Sequence, residues 1–295
     1  MKIGVVHFGC ASAGSAQIAR TLIDEVSKQG ESVYGIEWNR FSKDIDLGEL
    51  TQKETTSSLG SDSFVLSSFP LAVWKEKAKE IADKLSSLDK IIILGKSEDE
   101  NHQLTLKQLH VPISIFNDIE GSQLTLGYDT ALNSIVKNIE SVRDTASSLS
   151  YGKVRVFNVQ IPGTSGSSML LKNSCLAVDG VVVPQANREH IEQVKRHIRE
   201  KEAMHEGYTF LMMDQSVDPV KLGEHFEGFD LDWKVVEIDE SQCGGPYPTA
   251  LDRVIANQLK RSVVDWSLSN QSSGQLLVQD NKILFQEESV SVAKA

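Results

Sequence analysis

Two acidic stretches and three glycine-rich turns are the places in this sequence where chemistry could be done. The loop Asn117-Asp118-Ile119-Glu120-Gly121 follows the apolar run VPISIF and precedes a long helical pattern. A strand end of that kind is where an α/β protein presents catalytic groups, yet the position best placed to carry charge is Phe116, with the carboxylate of Asp118 two residues on. Glu98, Asp99 and Glu100 follow another apolar run, and adjacent carboxylates of this type can hold magnesium. Both stretches also have a plainer reading. An Asp side chain commonly closes a turn onto its own backbone, and an acidic trio is commonly solvated. The turns FGCASAGS (8–15), IPGTSGSS (161–168) and CGGPYPT (243–249) each join a strand pattern to a helical one. Such turns offer backbone N–H groups at a helix N-terminus, where the dipole favours anions. The first lacks the lysine of a P-loop, and none reads G-x-G-x-x-G. One such turn needs its glycines on conformational grounds alone. Three in one chain point to a phosphorylated small molecule at the carboxyl ends of the strands.

Histidine and cysteine add little. His190 and His197 lie two turns apart on one helical face, with Gln193 and Val194 between them. At about 1.5 Å of rise per residue their rings start roughly 10 Å apart, too far to share an ion. Ile191, Val194 and Ile198 form the expected buried stripe of that helix, which leaves the histidines exposed. Cys10, Cys175 and Cys243 are too scattered for a disulfide or metal framework, as befits a reduced cytoplasmic protein.

The elements that must carry these groups alternate between short β-branched runs and helical periodicity. Strands are expected at Lys2–Phe8, Ser32–Trp38, Lys90–Leu94, Pro112–Phe116, Lys153–Gln160, Gly180–Val183, Tyr208–Met213 and Lys234–Ile238. Helices are expected at Ser15–Gln29, Leu71–Leu88, Leu124–Ser147, Ser167–Cys175, Arg188–His205 and Thr249–Leu268. Runs such as KIIILG are apolar on both faces, as strands covered by helices on either side must be. The alternation implies an α/β fold with mainly parallel, doubly wound sheets, and the strand count favours two of them. Residues 287–295 lack a core pattern and are expected to fray. The chain has 295 residues and a formal charge of −11, which argues against a nucleic-acid partner. No apolar run reaches the roughly 18 residues needed to span a bilayer, and Lys2–Phe8 reads as a buried strand rather than a leader.

The segment FNDIEGSQLTLGYDTALNSIVKNIESVRDTASS resembles the signature region of the ATP- or pyrophosphate-dependent 6-phosphofructokinases of bacterial type. Their pattern reads roughly Thr-Ile-Asp-Asn-Asp-Ile-x-Gly-Thr-Asp-x-Thr-Ile-Gly-Phe-x-Thr-Ala and ends in Arg-Asp-Thr. KIGVVHFGCASAGSAQIAR resembles the family's opening strand, turn and helix, and IIILGKSEDE stands where it has a Gly-Gly-Asp-Gly-Ser loop. CLAVDGVVVPQ and CGGPYPTALDRVIANQL resemble later elements in order. The resemblance implies two α/β domains with a substrate cleft between them, commonly in a homotetramer. Residues 1–122 plus 240–295 would be nucleotide-binding-like and residues 123–239 sugar-phosphate-binding-like.

The resemblance also implies phosphoryl transfer to the 1-hydroxyl of fructose 6-phosphate, which requires a base, magnesium and cations around the phosphates. Carried across residue by residue, the catalytic aspartate falls on Phe116, its neighbouring threonine on Ser114, and the loop's second aspartate on Asp118. The nucleotide site falls on Gly9, Cys10, Ser68 and Ser97. Ser97 replaces the magnesium-binding aspartate, Lys96 the glycine before it, and Ser68 the transition-state arginine. In the sugar-phosphate site Gly163 stands where the Met-Gly-Arg segment has its arginine, and Gln215 replaces a glutamate. Glu240 and Cys243 replace a histidine and an arginine. Glu240 would set negative charge where a phosphate should sit. The positions that contact a nucleotide effector in the family match at Arg20, Arg143 and Asp179, while the basic cluster before the TFLMM strand does not. Arg143 reads equally well as a structural ion-pair partner.

The scaffold glycines Gly9, Gly14, Gly95, Gly121, Gly127, Gly244 and Gly245 persist while the chemistry-bearing positions change. Losing a general base costs about 10²–10⁴ in rate, and lost cations cost comparable factors. The expectation is a non-catalytic paralogue that regulates or assembles with an active phosphofructokinase, with no confident cofactor or metal. It would form a homo-oligomer or a hetero-oligomer in the cytoplasm, with a phosphorylated small molecule as a further ligand, and without nucleic-acid or membrane partners. Two alternatives stay open. One is a divergent 6-phosphofructokinase that uses Asp118 as a relocated base with ATP and Mg or pyrophosphate. The other is a scaffold that uses only its subunit interfaces.

Overall fold

The computed structural model describes residues 1–9, 14–51, 66–96, 104–148, 152–245 and 247–288. The chain divides into two units, residues 1–129 with 246–295, and residues 130–245.

Unit 1 is built on a sheet of seven strands in the order β11-β10-β5-β4-β1-β2-β3. These strands are β1 (Lys2–His7), β2 (Ser32–Asn39), β3 (Asp44–Leu50), β4 (Lys90–Leu94), β5 (Lys107–Val111), β10 (Gly274–Gln279) and β11 (Lys282–Glu287). The five central strands are parallel, and β3 and β11 run antiparallel at the two edges. Alternate residues of β1 enter two cores. Ile3 and Val5 pack with Ile18 and Leu22 of α1 (Ser15–Lys28) and with Ile255 and Leu259 of the last helix. Val6 instead packs with Trp74 of α2 (Leu71–Glu76) and with Ile81 and Leu85 of α3 (Ala78–Leu85). Helices therefore cover both faces, and the apolar runs are two-sided for that reason.

Unit 2 holds a parallel sheet in the order β7-β8-β6-β9, with β6 (Val154–Ile161), β7 (Val181–Val182), β8 (Tyr208–Asp214) and β9 (Leu231–Glu237). The helix α4 (Tyr128–Ser148) leads into it, and α5 (Met169–Ala177), α6 (Arg188–Ala203), α7 (Pro219–Glu224) and α8 (Glu240–Cys243) follow. The last helix, α9 (Ala250–Leu268), returns to unit 1. Ile191, Val194 and Ile198 of α6 are buried against Val156 and Leu211, the stripe read from the sequence. The fold is α/β with mainly parallel sheets, as expected.

Several elements differ from the sequence reading. The strand expected at Pro112–Phe116 lies earlier, at Lys107–Val111, because Pro112 has no N–H to give to a ladder. Beyond it only Ile113 bridges, to Leu126. The helix expected from Leu124 begins at Tyr128, since residues up to Gly127 are tied back to the strand end. The helix expected over 71–88 is divided at Lys77. Two hairpins went unread. Asp44, Asp46 and Glu49 hid β3, and β10–β11 turns through Asp280 and Asn281, both at positive φ. Both histidines of α6 are half-buried rather than exposed, with His197 Nε2 2.8 Å from Thr209 Oγ1. The C-terminal segment expected to fray lies almost wholly outside the described residues. No helix among the described residues is long and apolar enough to cross a membrane.

Candidate functional site

Three strand ends of unit 1 meet at the carboxyl edge of its sheet. Phe8 N donates to Leu94 O at 2.8 Å, and Gly95 N donates to Val111 O at 3.2 Å. The turns after β1, β4 and β5 are therefore neighbours, as in any parallel sheet that builds a site at this edge. Gly95 has φ of +110°, and a Cβ there would run into the Phe8 carbonyl oxygen, so only glycine fits.

The loop after β5 is held from several sides. Leu126 N donates to Pro112 O at 2.9 Å, and Ser114 N donates to Leu126 O at 3.1 Å. Thr125 Oγ1 donates to Ser114 O at 2.6 Å. Asp252, buried in the first turn of α9, accepts from Gly127 N at 2.8 Å. Asn117 takes φ of +54°, and its side-chain amide donates to Gln123 O at 3.0 Å.

At the tip of this loop Ser114 Oγ donates to Asp118 Oδ1 at 2.6 Å, and Phe116 N donates to Ser114 Oγ at 3.1 Å. The other oxygen of Asp118 accepts from Lys96 Nζ at 2.8 Å. The pair stands in partial solvent, with side-chain exposures of 51% for Lys96 and 37% for Asp118. Phe116 is half-buried between Ser114 and Asp118. Asp118 does not cap the following helix. It is the shared acceptor of a hydroxyl and an ammonium.

His7, the last residue of β1, forms the floor beneath this edge. Burial pushes its imidazole down to about 4. Its carbonyl accepts from Phe69 N at 2.8 Å, which brings the exposed Ser68 next to the end of β1. Gly9 has φ of +80° with open space around it. Cys10, Ser97 and the acidic trio Glu98, Asp99 and Glu100 lie outside the described residues.

Unit 2 gathers a second set of groups at the carboxyl edge of its own sheet. Gln215 N donates to Gly163 O at 2.9 Å, so these two expected residues do meet. Between them Asp214, fully buried at the end of β8, accepts from Gly166 N at 2.7 Å and from Ser216 N at 3.0 Å. The Ser216 hydroxyl donates to the same carboxylate at 2.5 Å. Glu240 opens α8 and is exposed. Cys243 is fully buried and forms no disulfide with another described cysteine. Asp239 caps α8 in a capping box with Gln242, and its hydrogen bonds from Ser241 hold its carboxyl below the usual range.

Of the expected effector positions, Arg143 and Asp179 come together in unit 2. The Arg143 guanidinium donates to the carbonyl of Val178, pairs with Glu140 at 3.0 Å and stacks on the Phe210 ring at 5.1 Å. Asp179, the next residue, is exposed at φ of +54°. Arg20 is half-buried on α1 in unit 1. Among the described residues no group of three or more potential metal-ligating side chains is present.

The phosphofructokinase family model matches residues 2–267, nearly the whole chain. The chain belongs to the phosphofructokinase family. Relatives named ATP-dependent 6-phosphofructokinase include that of Shouchella clausii, 24% identical over 96% of this chain and 91% of the relative. That of Bacillus velezensis is 26% identical over 96% and 91%. Among solved structures, the pyrophosphate-dependent phosphofructokinase of Marinobacter aquaeolei superposes with a TM-score of 0.64 at 14% identity, over 97% of this chain and 81% of that one. The phosphofructokinase of Pichia pastoris in the T-state gives 0.70 at 17% identity. This phosphofructokinase-family chain spans only 37% of the Pichia chain's length.

Sequence reasoning missed Lys96 as the partner of Asp118, having counted it only as a lost glycine. It also missed Asp214 and Asp252 as clamps on the two loops. The available signal for Lys96 was a cation two residues after a strand, β4, that neighbours the strand whose following loop carries Asp118.

Proposed function

We propose that this phosphofructokinase-family protein does not transfer phosphate to fructose 6-phosphate and acts as a non-catalytic regulatory or assembly paralogue. One observation carries the reading. The aspartate next to the lost base position has both oxygens engaged, one by Ser114 and one by Lys96. A sugar hydroxyl would have to share Asp118 with Ser114 and Lys96 through its remaining lone pairs. Lys96, in turn, is balanced by that carboxylate where a phosphate would call for an uncompensated cation. The nearby positions that carry charge in the family pattern are Phe116 and Ser68, which carry none. The residues described here therefore do not fit magnesium–nucleotide chemistry of the family's kind. Binding of a phosphorylated metabolite without turnover, and association with an active phosphofructokinase, are compatible with the same arrangement.

The test is a coupled assay of purified protein with fructose 6-phosphate and Mg, given either ATP or pyrophosphate. The expected result is no turnover above background. Turnover of about 1–100 s⁻¹, typical of kinases, that vanished in Asp118→Asn would establish the relocated base instead. Thermal shifts with nucleotides and sugar phosphates then separate a binder from a scaffold, because a ligand of the folded state raises the midpoint. Co-purification with an active phosphofructokinase tests the assembly role.

A further inference from the structure

We infer that the free edge of β11 pairs with β11 of a second copy of this chain, antiparallel about a two-fold axis through Phe285. The hydrogen bonds of the β10–β11 hairpin determine which groups are free. Its register pairs Gln279 with Lys282 across the Asp280-Asn281 turn, and Glu288 N donates to Ser273 O at 3.0 Å. A two-residue turn is closed by a hydrogen-bonded pair, and bonded and non-bonded pairs alternate from there. Lys282, Leu284, Gln286 and Glu288 therefore bond inward to β10. Ile283, Phe285 and Glu287 aim their N–H and C=O groups at the open edge. Among the described residues β11 is the terminal strand of its sheet, and Leu284 and Phe285 are exposed on it at 44% and 36%. Such an edge is a template for another strand.

Two-fold pairing is possible only where outward residues face outward residues. Centred on Phe285, it sets Ile283 opposite the second copy's Glu287 and Phe285 opposite its equivalent. Each of these pairs can exchange two main-chain hydrogen bonds. The same register places Lys282 opposite the second copy's Glu288, and by symmetry the reverse, so an ion pair closes each end. Shifting the axis to Leu284 would set Glu288 against the second copy's Asp280, a like-charge contact that disfavours that register. The opposite sheet edge offers no such match. β3 carries Asp44, Asp46 and Glu49 without a basic residue, so self-pairing there is opposed.

The test is sedimentation velocity of the full chain over a concentration series, with far-UV circular dichroism on every variant as a check of folding. The unaltered chain is expected to self-associate. Lys282→Glu or Glu288→Lys alone should raise the dissociation constant at least tenfold, and the Lys282→Glu/Glu288→Lys double variant should return it to within about threefold. Phe285→Lys should abolish the association by facing like charges across the axis. A chain that stays monomeric, association that neither single reversal weakens, or a double variant that fails to recover would each overturn the inference.

Discussion

The loop after β5 in unit 1 and the turn after β6 in unit 2 both sit at the carboxyl edge of a parallel sheet, and an aspartate takes part in each, Asp118 from within the loop and Asp214 from the end of β8. The two carboxylates are held differently. Asp214 is fully buried and accepts from the backbone of the Gly166 turn and from Ser216, so it belongs to the scaffold of that turn. Asp118 is partly exposed, and its two partners are the side chains of Ser114 and Lys96. A buried carboxylate that organises backbone serves the fold, whereas a half-exposed one held by side chains costs the fold little to replace. Arg143 of unit 2 likewise belongs to its scaffold, engaged by a carbonyl, a carboxylate and a ring of its own unit.

The largest expected effect is at Asp214. Asp214→Ala should leave the buried Gly166 N–H without an acceptor and remove two charge-assisted hydrogen bonds to Ser216. The expected loss is about 3 kcal/mol of unfolding free energy, read by urea denaturation. A loss under about 1 kcal/mol would mean that the turn supports itself, and the contrast between the two loops would fail.

Acid should expose the buried floor of the unit 1 site next. His7 is buried and neutral when folded, with its imidazole pushed from 6.5 to about 4. Between those values the unfolded chain binds a proton that the folded chain does not, so stability falls as pH falls. This contribution should be about 2.5 kcal/mol by pH 4.5 and should level off near pH 3. Its direct check is the histidine Cε1–H NMR titration, in which the His7 resonance should not move between pH 8 and 5. A titration midpoint near 6.5 would show that the floor of this edge is wet.

What could be read from the residues and what could not divide along physical lines. The two-sided runs of β1, β4 and β6 and the stripe Ile191, Val194 and Ile198 were legible because burial writes a local period into the chain. β3 was not, because Asp44, Asp46 and Glu49 interrupt its apolar signature, and β11 was not, because its apolar run is only the three residues Ile283–Phe285. Pro112 was a legible stop that a purely apolar reading passed over. The loop Asn117-Asp118-Ile119-Glu120-Gly121 was readable as a polar run after VPISIF. The Lys96–Asp118 contact was not, because it joins residues 22 apart through the adjacency of β4 and β5, which only the assembled sheet supplies.

That contact also gives the smallest expected effect and the finest test of the comparison. Lys96 and Asp118 are 51% and 37% exposed, so the pair is hydrated and screened by salt. Exposed pairs of this kind couple by about 0.2–1 kcal/mol. A double-mutant cycle with Lys96→Met and Asp118→Asn, read by urea denaturation at low and at 0.5 M salt, should therefore give coupling near 0.5 kcal/mol that shrinks with salt. The neutral isosteres keep most of the packing, so the cycle isolates the charge interaction. Coupling above about 2 kcal/mol, insensitive to salt, would place Asp118 with Asp214 among the carboxylates that hold the fold. The loop after β5 would then be structural in its own right.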